Sequence, residues 1–231
     1  MLTAPQFSPT GLEAVRARIA AAARRAGRDP AGIRLLAVSK QQPLEAVRSL
    51  AALGQAEFGE NYVQEAVAKI DALRGLPLTW HFIGQLQANK TRDVAERCQW
   101  VHTVDRLRIA ERLDAQRPHH APPLEVLLQV KLADEAAKGG VSPGELPALA
   151  AAVERLPRLR LRGLMCLPPE SAGEDAQRRP FRRLRELLDE LNAAGRNLDT
   201  LSMGMSGDLE AAVLEGATIV RVGTALFGPR H

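Results

Sequence analysis

At 231 residues, the chain is long enough to bury a large core, and a length of this order suits either two small domains or one α/β barrel. The composition, 45% hydrophobic and 25% charged, is that of a globule; no apolar run approaches the roughly 20 residues that a membrane-spanning helix needs, and residues 1–10 carry neither a basic nor an apolar leader, so a cytoplasmic protein without membrane attachment is expected. A net charge of +4 would suit nucleic acid, but aromatics are only 3% and no basic-aromatic motif occurs, which argues against that partner.

Leu12, Val15, Ile19, Ala22 and Ala23 recur at helical spacing behind Ser8-Pro9, and Gly27 follows as a stop, which predicts a helix over 10–26. Residues 33–38 form a continuous apolar run, as a parallel strand covered on both faces requires, and 43–53 reads as the next helix. The alternation then repeats, with strands at 57–59, 78–83, 100–102 and 124–130 and helices at 61–73, 87–97, 106–115 and 143–156. A strand at 159–164 leads through the Pro- and Gly-bearing loop 167–173 to a long helix marked by Phe181, Leu184, Leu187, Leu188 and Leu191. Strand 198–202, helix 208–215 and strand 218–222 complete the series. Close to eight β-α units predict an α/β fold, a (β/α)8 TIM barrel with an extra N-terminal helix, as a single domain over 1–231. An open doubly wound sheet is the other arrangement; no G-x-G-x-x-G follows the first strand and no G-x-x-x-x-G-K-[ST] occurs, so its usual nucleotide signatures are missing.

Of the 31 basic residues only five are lysines: Lys40, Lys69, Lys90, Lys131 and Lys138. Arginine cannot condense with an aldehyde, whereas a desolvated lysine can lose its proton and become a nucleophile. In a barrel the C-terminal strand ends point into the site. Lys40 stands just past the first strand, and Lys131 stands in the same relation to the fifth. Lys69 and Lys90 fall within helices and Lys138 in a glycine-bearing loop, where solvation is the default.

Two further stretches look ligand-ready. Ser202-Met203-Gly204-Met205-Ser206-Gly207-Asp208 joins a strand to a helix with Ser206 at an N-cap position; either it only caps the helix, or the free N–H groups there hold an anion. At the end of the last strand, Gly223 and Thr224 supply backbone N–H groups and a hydroxyl, and the loops after the seventh and eighth strands of such barrels commonly form a phosphate site. Arg221 either faces inward and needs a partner or pairs at the surface. Asn61 either caps the third helix, or reaches a ligand, or does both. His81 and His102 read as hydrogen-bonded core histidines and His119-His120 as loop residues, and no H-x-x-x-H spacing supports a metal site. Cys98 and Cys166 read as small buried hydrophobes, and the arginine-rich segments 155–162 and 178–185 as solvated faces.

Taken together, Ala37-Val38-Ser39-Lys40, Phe58-Gly59-Glu60-Asn61-Tyr62-Val63-Gln64-Glu65, Trp80-His81-Phe82-Ile83-Gly84, Leu86-Gln87 with Asn89-Lys90, Leu161-Arg162-Gly163-Leu164-Met165, Leu201 to Ser206 and Arg221 to Gly228 resemble the pyridoxal phosphate homeostasis protein family over nearly the whole chain. That family looks like the barrel domain of alanine racemases without their second, β-rich domain. The resemblance implies that pyridoxal 5'-phosphate (PLP) is held as a Schiff base on Lys40, with Ser206, Gly223 and Thr224 on the phosphate, Arg221 facing the pyridine nitrogen and Asn61 lining the pocket. Gln85 stands where proline or histidine is common and Lys131 where asparagine is usual. The implied function is PLP homeostasis, as a carrier or regulator that serves apo PLP-dependent enzymes; no catalytic residue is expected. The alternative is a PLP-dependent amino-acid racemase acting through the same lysine. A two-base racemase needs a group on each face of the substrate carbon. The chain ends at His231 with no room for the domain that supplies the opposite-face tyrosine, and its one tyrosine is Tyr62, so the carrier reading and a monomeric state are expected.

Overall fold

The computed structural model describes residues 9–132 and 139–228. The readings of residues 1–8, Lys138 and His231 fall outside them.

Among the described residues, eight parallel strands close into a barrel in sequence order: β1 (Arg34–Val38), β2 (Glu57–Glu60), β3 (Thr79–Phe82), β4 (Trp100–Val104), β5 (Leu124–Gln129), β6 (Leu159–Met165), β7 (Thr200–Ser202) and β8 (Ile219–Val222). Parallel neighbours need a crossover between them, and helices supply it. These are α2 (Leu44–Ala52), α3 (Val63–Ala72), α4 (Thr91–Arg97), α5 (Leu107–Gln116), α6 (Leu146–Val153), α7 (Glu174–Ala193) and α8 (Leu209–Leu214). Closure joins β1 to β8, with Leu36 opposite Arg221 and Ala37 opposite Val222. The predicted barrel and its preceding helix, α1 (Pro9–Arg25), are therefore present.

Most differences from the predicted elements lie at their ends. The helix expected over 87–97 is broken: a 3-10 turn at Ala88–Lys90 precedes α4. The Ala88 carbonyl there accepts from Thr91 Oγ1 (2.9 Å) and from Arg112 Nε (2.7 Å), which ties the turn to α5. A short helix, α9 (Thr224–Phe227), follows β8 and was not predicted, because four residues carry no readable periodicity. No helix among the described residues is long and apolar enough to cross a membrane.

Apolar residues fill two regions. The larger lies between strands and helices, and a smaller group inside the barrel comprises Leu36, Ile83, Trp100, Leu127, Met165 and Ile219. The barrel interior also holds His81, His102, Ser202 and Arg221, all buried. Both cysteines are buried too, and burial pushes their thiols up to about 12, so they behave as inert packing groups.

α1 packs against α8 and α9. Arg18 on α1 pairs with Glu210 (2.6 Å) and donates to the Ser206 carbonyl (2.9 Å), so the extra helix braces the loop between β7 and α8. Arg28 donates to the carbonyls of Val213 and Ala217, both at 2.8 Å, and secures the other end of α8.

The arginines of segment 178–185 are not all solvated. Glu215, buried at the end of α8, accepts from Arg178 Nε (2.8 Å) and Arg182 Nη2 (3.0 Å), and Arg185 Nη1 lies 3.2 Å away. Burial pushes this carboxyl up, but the hydrogen bonds from Arg182 and Arg178 outweigh it and hold it below the ordinary carboxylate range. A carboxyl depressed in the folded state contributes stability at pH values above its unfolded pKa and loses it as pH falls through the folded value. Glu215→Gln should therefore lower the melting temperature at neutral pH by about 2–4 °C for each kcal/mol lost. The gap between mutant and wild type should close on acidification, which melts recorded across the acid range will check.

Candidate ligand-binding site

At the C-terminal ends of the strands lies a cavity of about 420 Å³, lined by Val38, Lys40, Asn61 and Ile83 from the ends of β1 to β3 and by residues 205–208, Arg221, Gly223 and Thr224 from the ends of β7 and β8. Its size lies within the range of small-molecule sites. All six residues singled out from the sequence, Lys40, Asn61, Ser206, Arg221, Gly223 and Thr224, line it. Lys131 does not figure among the lining residues, which separates the two lysines that strand position alone left equivalent.

Lys40 is half-buried, and its backbone is held from behind. Ser39, fully buried, donates through Oγ to Glu60 Oε1 at 2.6 Å. Lys69 then reaches from α3 to the Ser39 carbonyl (2.6 Å), Glu60 Oε1 (2.7 Å) and Glu65 Oε2 (3.2 Å). Expected at the surface, Lys69 is in fact only 7% exposed. The i to i+4 spacing to Glu65 was visible in the sequence; the approach of Glu60 from β2 was not. Gln41 has φ of 59°, a left-handed conformation that costs a non-glycine residue energy, and Glu65 offsets it by accepting from the Gln41 N–H at 2.7 Å. Burial pushes the Glu60 carboxyl up, against the hydrogen bonds from Lys69 and Ser39. These groups clamp the Ser39-Lys40-Gln41 turn so that it leaves β1 in one direction.

Asn61 does not cap α3; Tyr62 takes that position. The Asn61 backbone instead presses on the end of β3, where a Cβ on Gly84 would lie 1.9 Å from the Asn61 carbonyl oxygen, so only glycine allows the approach. Asn61 Oδ1 is buried and has no hydrogen-bond partner among the described residues. An orphaned acceptor on a cavity wall is the mark of a ligand donor or a bound water.

In the loop after β7, the N-cap of α8 is Asp208 and not Ser206. The Asp208 carboxylate accepts from the Met205 N–H at 2.5 Å, which curls residues 205–208 into a turn and leaves the Ser206 hydroxyl on the cavity wall. Burial pushes Asp208 up, opposed by that hydrogen bond and by the charge of Arg221. Gly204 has φ of 92°, and a Cβ there would meet the Ala212 Cβ at 2.5 Å. Its carbonyl accepts from the Arg221 N–H (2.9 Å), which keeps the loops after β7 and β8 side by side. Gly223 opens α9 as its N-cap, and the N–H groups of a first helical turn suit an anion.

Arg221 faces inward and is 4% exposed, so the surface ion pair is not what forms. Its Nη1 donates to Ser202 Oγ and its Nη2 to the Cys166 carbonyl, both at 2.8 Å. Burial draws the guanidinium down from its ordinary value, opposed by the nearby Cys166 and Asp208. Leu167, Glu170, Ser171 and Gln177 also line the cavity and were not anticipated. The loop signal over 167–173 placed a turn there, but nothing local told which way it folds.

Lys69→Met should leave the Glu60 carboxylate buried without its cation, a change that costs about 3–5 kcal/mol when a buried pair is broken from one side. Urea denaturation of the variant will check this, and a loss under about 1 kcal/mol, the worth of a solvated pair, would contradict the buried clamp.

Comparison with known proteins gives one family and one fold. Residues 11–231 match the family model described as alanine racemase, N-terminal domain. The chain is 61% identical over 216 residues to the pyridoxal phosphate homeostasis protein of Pseudomonas aeruginosa, covering 94% of this chain and 93% of that one. It is 51% identical over 222 residues to the protein of the same name from Escherichia coli K12, covering 95% of each. Among solved structures, PipY of Synechococcus elongatus PCC7942 with PLP bound superimposes with a TM-score of 0.82 at 40% identity, covering 93% of this chain and all (100%) of that one. An alanine racemase from Clostridium difficile shares the fold, with a TM-score of 0.74 at 14% identity; 99% of this chain matches 60% of that one.

Proposed function

The chain belongs to the pyridoxal phosphate homeostasis protein family, built on the alanine racemase N-terminal barrel, and from that premise we propose that it binds pyridoxal 5'-phosphate through Lys40 and carries it without catalysing a reaction. The observation that carries this reading is the convergence on one cavity of a lysine amine, a buried guanidinium, the hydroxyls of Ser206 and Thr224, and the N-cap glycine Gly223. The residues present fit the group. Asn61 Oδ1 offers a buried acceptor in need of a donor, and the paired loops after β7 and β8 offer hydroxyls and helix-start N–H groups to a phosphate.

When bound, the cofactor supplies an aldehyde, which a lysine amine captures with loss of water. Lys40 is the cavity lysine placed to do this, and its clamped turn holds the amine on the β1 side. Ser206, Gly223 and Thr224 hold the phosphate on the β7 and β8 side. Arg221 retains its protons, so a ring nitrogen facing it accepts a hydrogen bond and stays unprotonated, which weakens the electron withdrawal that carbanion chemistry needs. Tyr62, the one tyrosine of the chain, is 50% exposed and takes no part in lining the cavity, so it offers no second catalytic face to a substrate held against Lys40. The chain therefore retains the cofactor and releases it to apo-enzymes that need it.

Borohydride reduction of the PLP-loaded protein followed by peptide mapping should place the label on Lys40, and Lys40→Ala should abolish both the label and the visible absorbance. A label on Lys131 alone would overturn the site. The carrier reading has its own measurement: incubation with L- and D-amino acids in deuterium oxide should give no α-proton exchange at catalytic turnover. Exchange abolished by Lys40→Ala would make the protein a racemase-type enzyme.

A further inference from the structure

The inside of the barrel contains a continuous line of polar side chains that ends at Arg221. Ser202 Oγ lies 2.8 Å from Arg221 Nη1 and 2.9 Å from His102 Nδ1. His102 Nε2 lies 2.9 Å from His81 Nδ1, and His81 Nε2 lies 3.4 Å from Glu57 Oε2. These residues come from β8, β7, β4, β3 and β2. Because β4 and β7 are not neighbours in the sheet, the His102–Ser202 contact spans the barrel interior. Ser202, His102 and His81 are each fully buried, with 0% of their surface exposed.

The chemistry of the two ends dictates where every proton sits. Arg221 has donors and no acceptor, so Ser202 Oγ accepts from it. Glu57 is an acceptor-only carboxylate: burial pushes it up, but the neighbouring His81 and the hydrogen-bonded Arg34 hold it below its ordinary range. The imidazoles between them are neutral, since burial depresses both, His102 well below its ordinary value. A neutral imidazole has one N–H. With His81 Nε2 turned to the carboxylate, its N–H must be there, since a bare nitrogen would set a lone pair against the charge. His81 Nδ1 is then bare and accepts from His102 Nε2–H. His102 Nδ1 is bare in turn and accepts from the Ser202 hydroxyl, whose oxygen is left to receive Arg221. The Ser202 oxygen could accept from Arg221 in either order; what selects this order is the Glu57 end, where the reverse would set a bare His81 Nε2 against the carboxylate 3.4 Å away.

We propose that Ser202, His102 and His81 are positioning residues that form a proton-ordered hydrogen-bond chain from Arg221 to His81, whose Nε2 makes no hydrogen bond but faces the Glu57 carboxylate at ion-pair distance, and that this chain locks the guanidinium in one orientation at the cavity wall. With Nη1 committed to Ser202 and Nη2 to the Cys166 carbonyl, the guanidinium plane is set by two anchors on different strands. The carboxylate at the other end of this line does not lie beside the cation, so Arg221 is kept free of a neighbouring anion in its own hydrogen bonds. The proton order is a property of the protein alone; its consequence for PLP retention rests on the function proposed above.

The proton order is read directly from long-range nitrogen–proton correlation spectra of the cofactor-free protein carrying isotopically labelled histidine, at neutral pH. His81 and His102 should both be neutral with the proton on Nε2, and the His102 Nδ1 resonance should carry the signature of an accepted hydrogen bond that Ser202→Ala removes. A proton on Nδ1 of either residue, or an imidazolium at either, would overturn the chain. Titration with PLP then reads the positioning role: Ser202→Ala should bind about tenfold more weakly, the worth of one hydrogen bond to a charged group, and Ser202→Thr should recover most of the loss. Unchanged affinity in Ser202→Ala would refute that role. The wild-type spectra carry the test by themselves if the alanine variant does not fold, and a wild type that takes up no PLP would sink the cofactor reading while the proton order stays measured.

Discussion

A guanidinium buried in the middle of a barrel is the constraint to which the rest of this structure answers. Arg221 sits on β8 with its head inside the barrel, where an uncompensated charge costs far more than at the surface. The hydrogen bonds that satisfy it go to neutral oxygens, Ser202 Oγ and the Cys166 carbonyl, and the Asp208 carboxylate in the loop above acts on it at a distance. That arrangement keeps the cation intact for whatever occupies the cavity. A carboxylate placed directly on Arg221 would have satisfied it and closed it to a ligand.

The end of β1, next to β8 in the barrel, solves a different problem with a different device. There the reactive group proposed is an amine on a flexible stem, and what needs control is its backbone. Ser39, Glu60, Lys69 and Glu65 make a compact charged cluster behind the turn, and the same Glu65 that pairs with Lys69 also holds the left-handed Gln41. Lys69 thus spends its charge on structure and leaves Lys40 as the lysine on the cavity wall. α1 joins this scheme from outside, since Arg18 fastens the Ser206 carbonyl and Glu210 in one grip. The β1 end and the β7 and β8 ends of the cavity are thus set by separate networks.

Much of the fold is legible in local pattern because barrel strands covered on both faces read as short apolar runs, and the helices between them carry an apolar stripe at helical period. The boundaries of β1, α2, β5 and α5 fall within a few residues of that pattern, whereas the break before α4 depends on Arg112 reaching back from α5 to the Ala88 carbonyl. In the site, Lys40, Arg221 and the glycine-bearing loops stand out because they sit at strand ends with unusual chemistry. Of the two readings of Ser206, the cap is not what forms: the residue that caps α8 is Asp208, whose carboxylate turns back to Met205, and Ser206 lines the cavity. The histidines were rightly read as hydrogen-bonded core residues, yet their partners, each other and Ser202, are drawn from strands far apart in sequence.

By itself the sequence determined the alternation that makes a barrel, the family, and the residue types that a phosphate-bearing aldehyde would require, because each of these is carried by spacing, chemistry or motif along the chain. Only the tertiary structure decided which lysine reaches the cavity wall, that Lys69 is buried beneath it, that Asn61 keeps an unsatisfied acceptor, and that Arg221, Ser202, His102 and His81 stand in hydrogen-bond contact one after another. The reason is geometric. Barrel closure brings β8 against β1 and lets side chains of β4 and β7 meet across the interior. A contact between non-adjacent strands leaves no period, cap or turn signal in the local sequence from which it could be read.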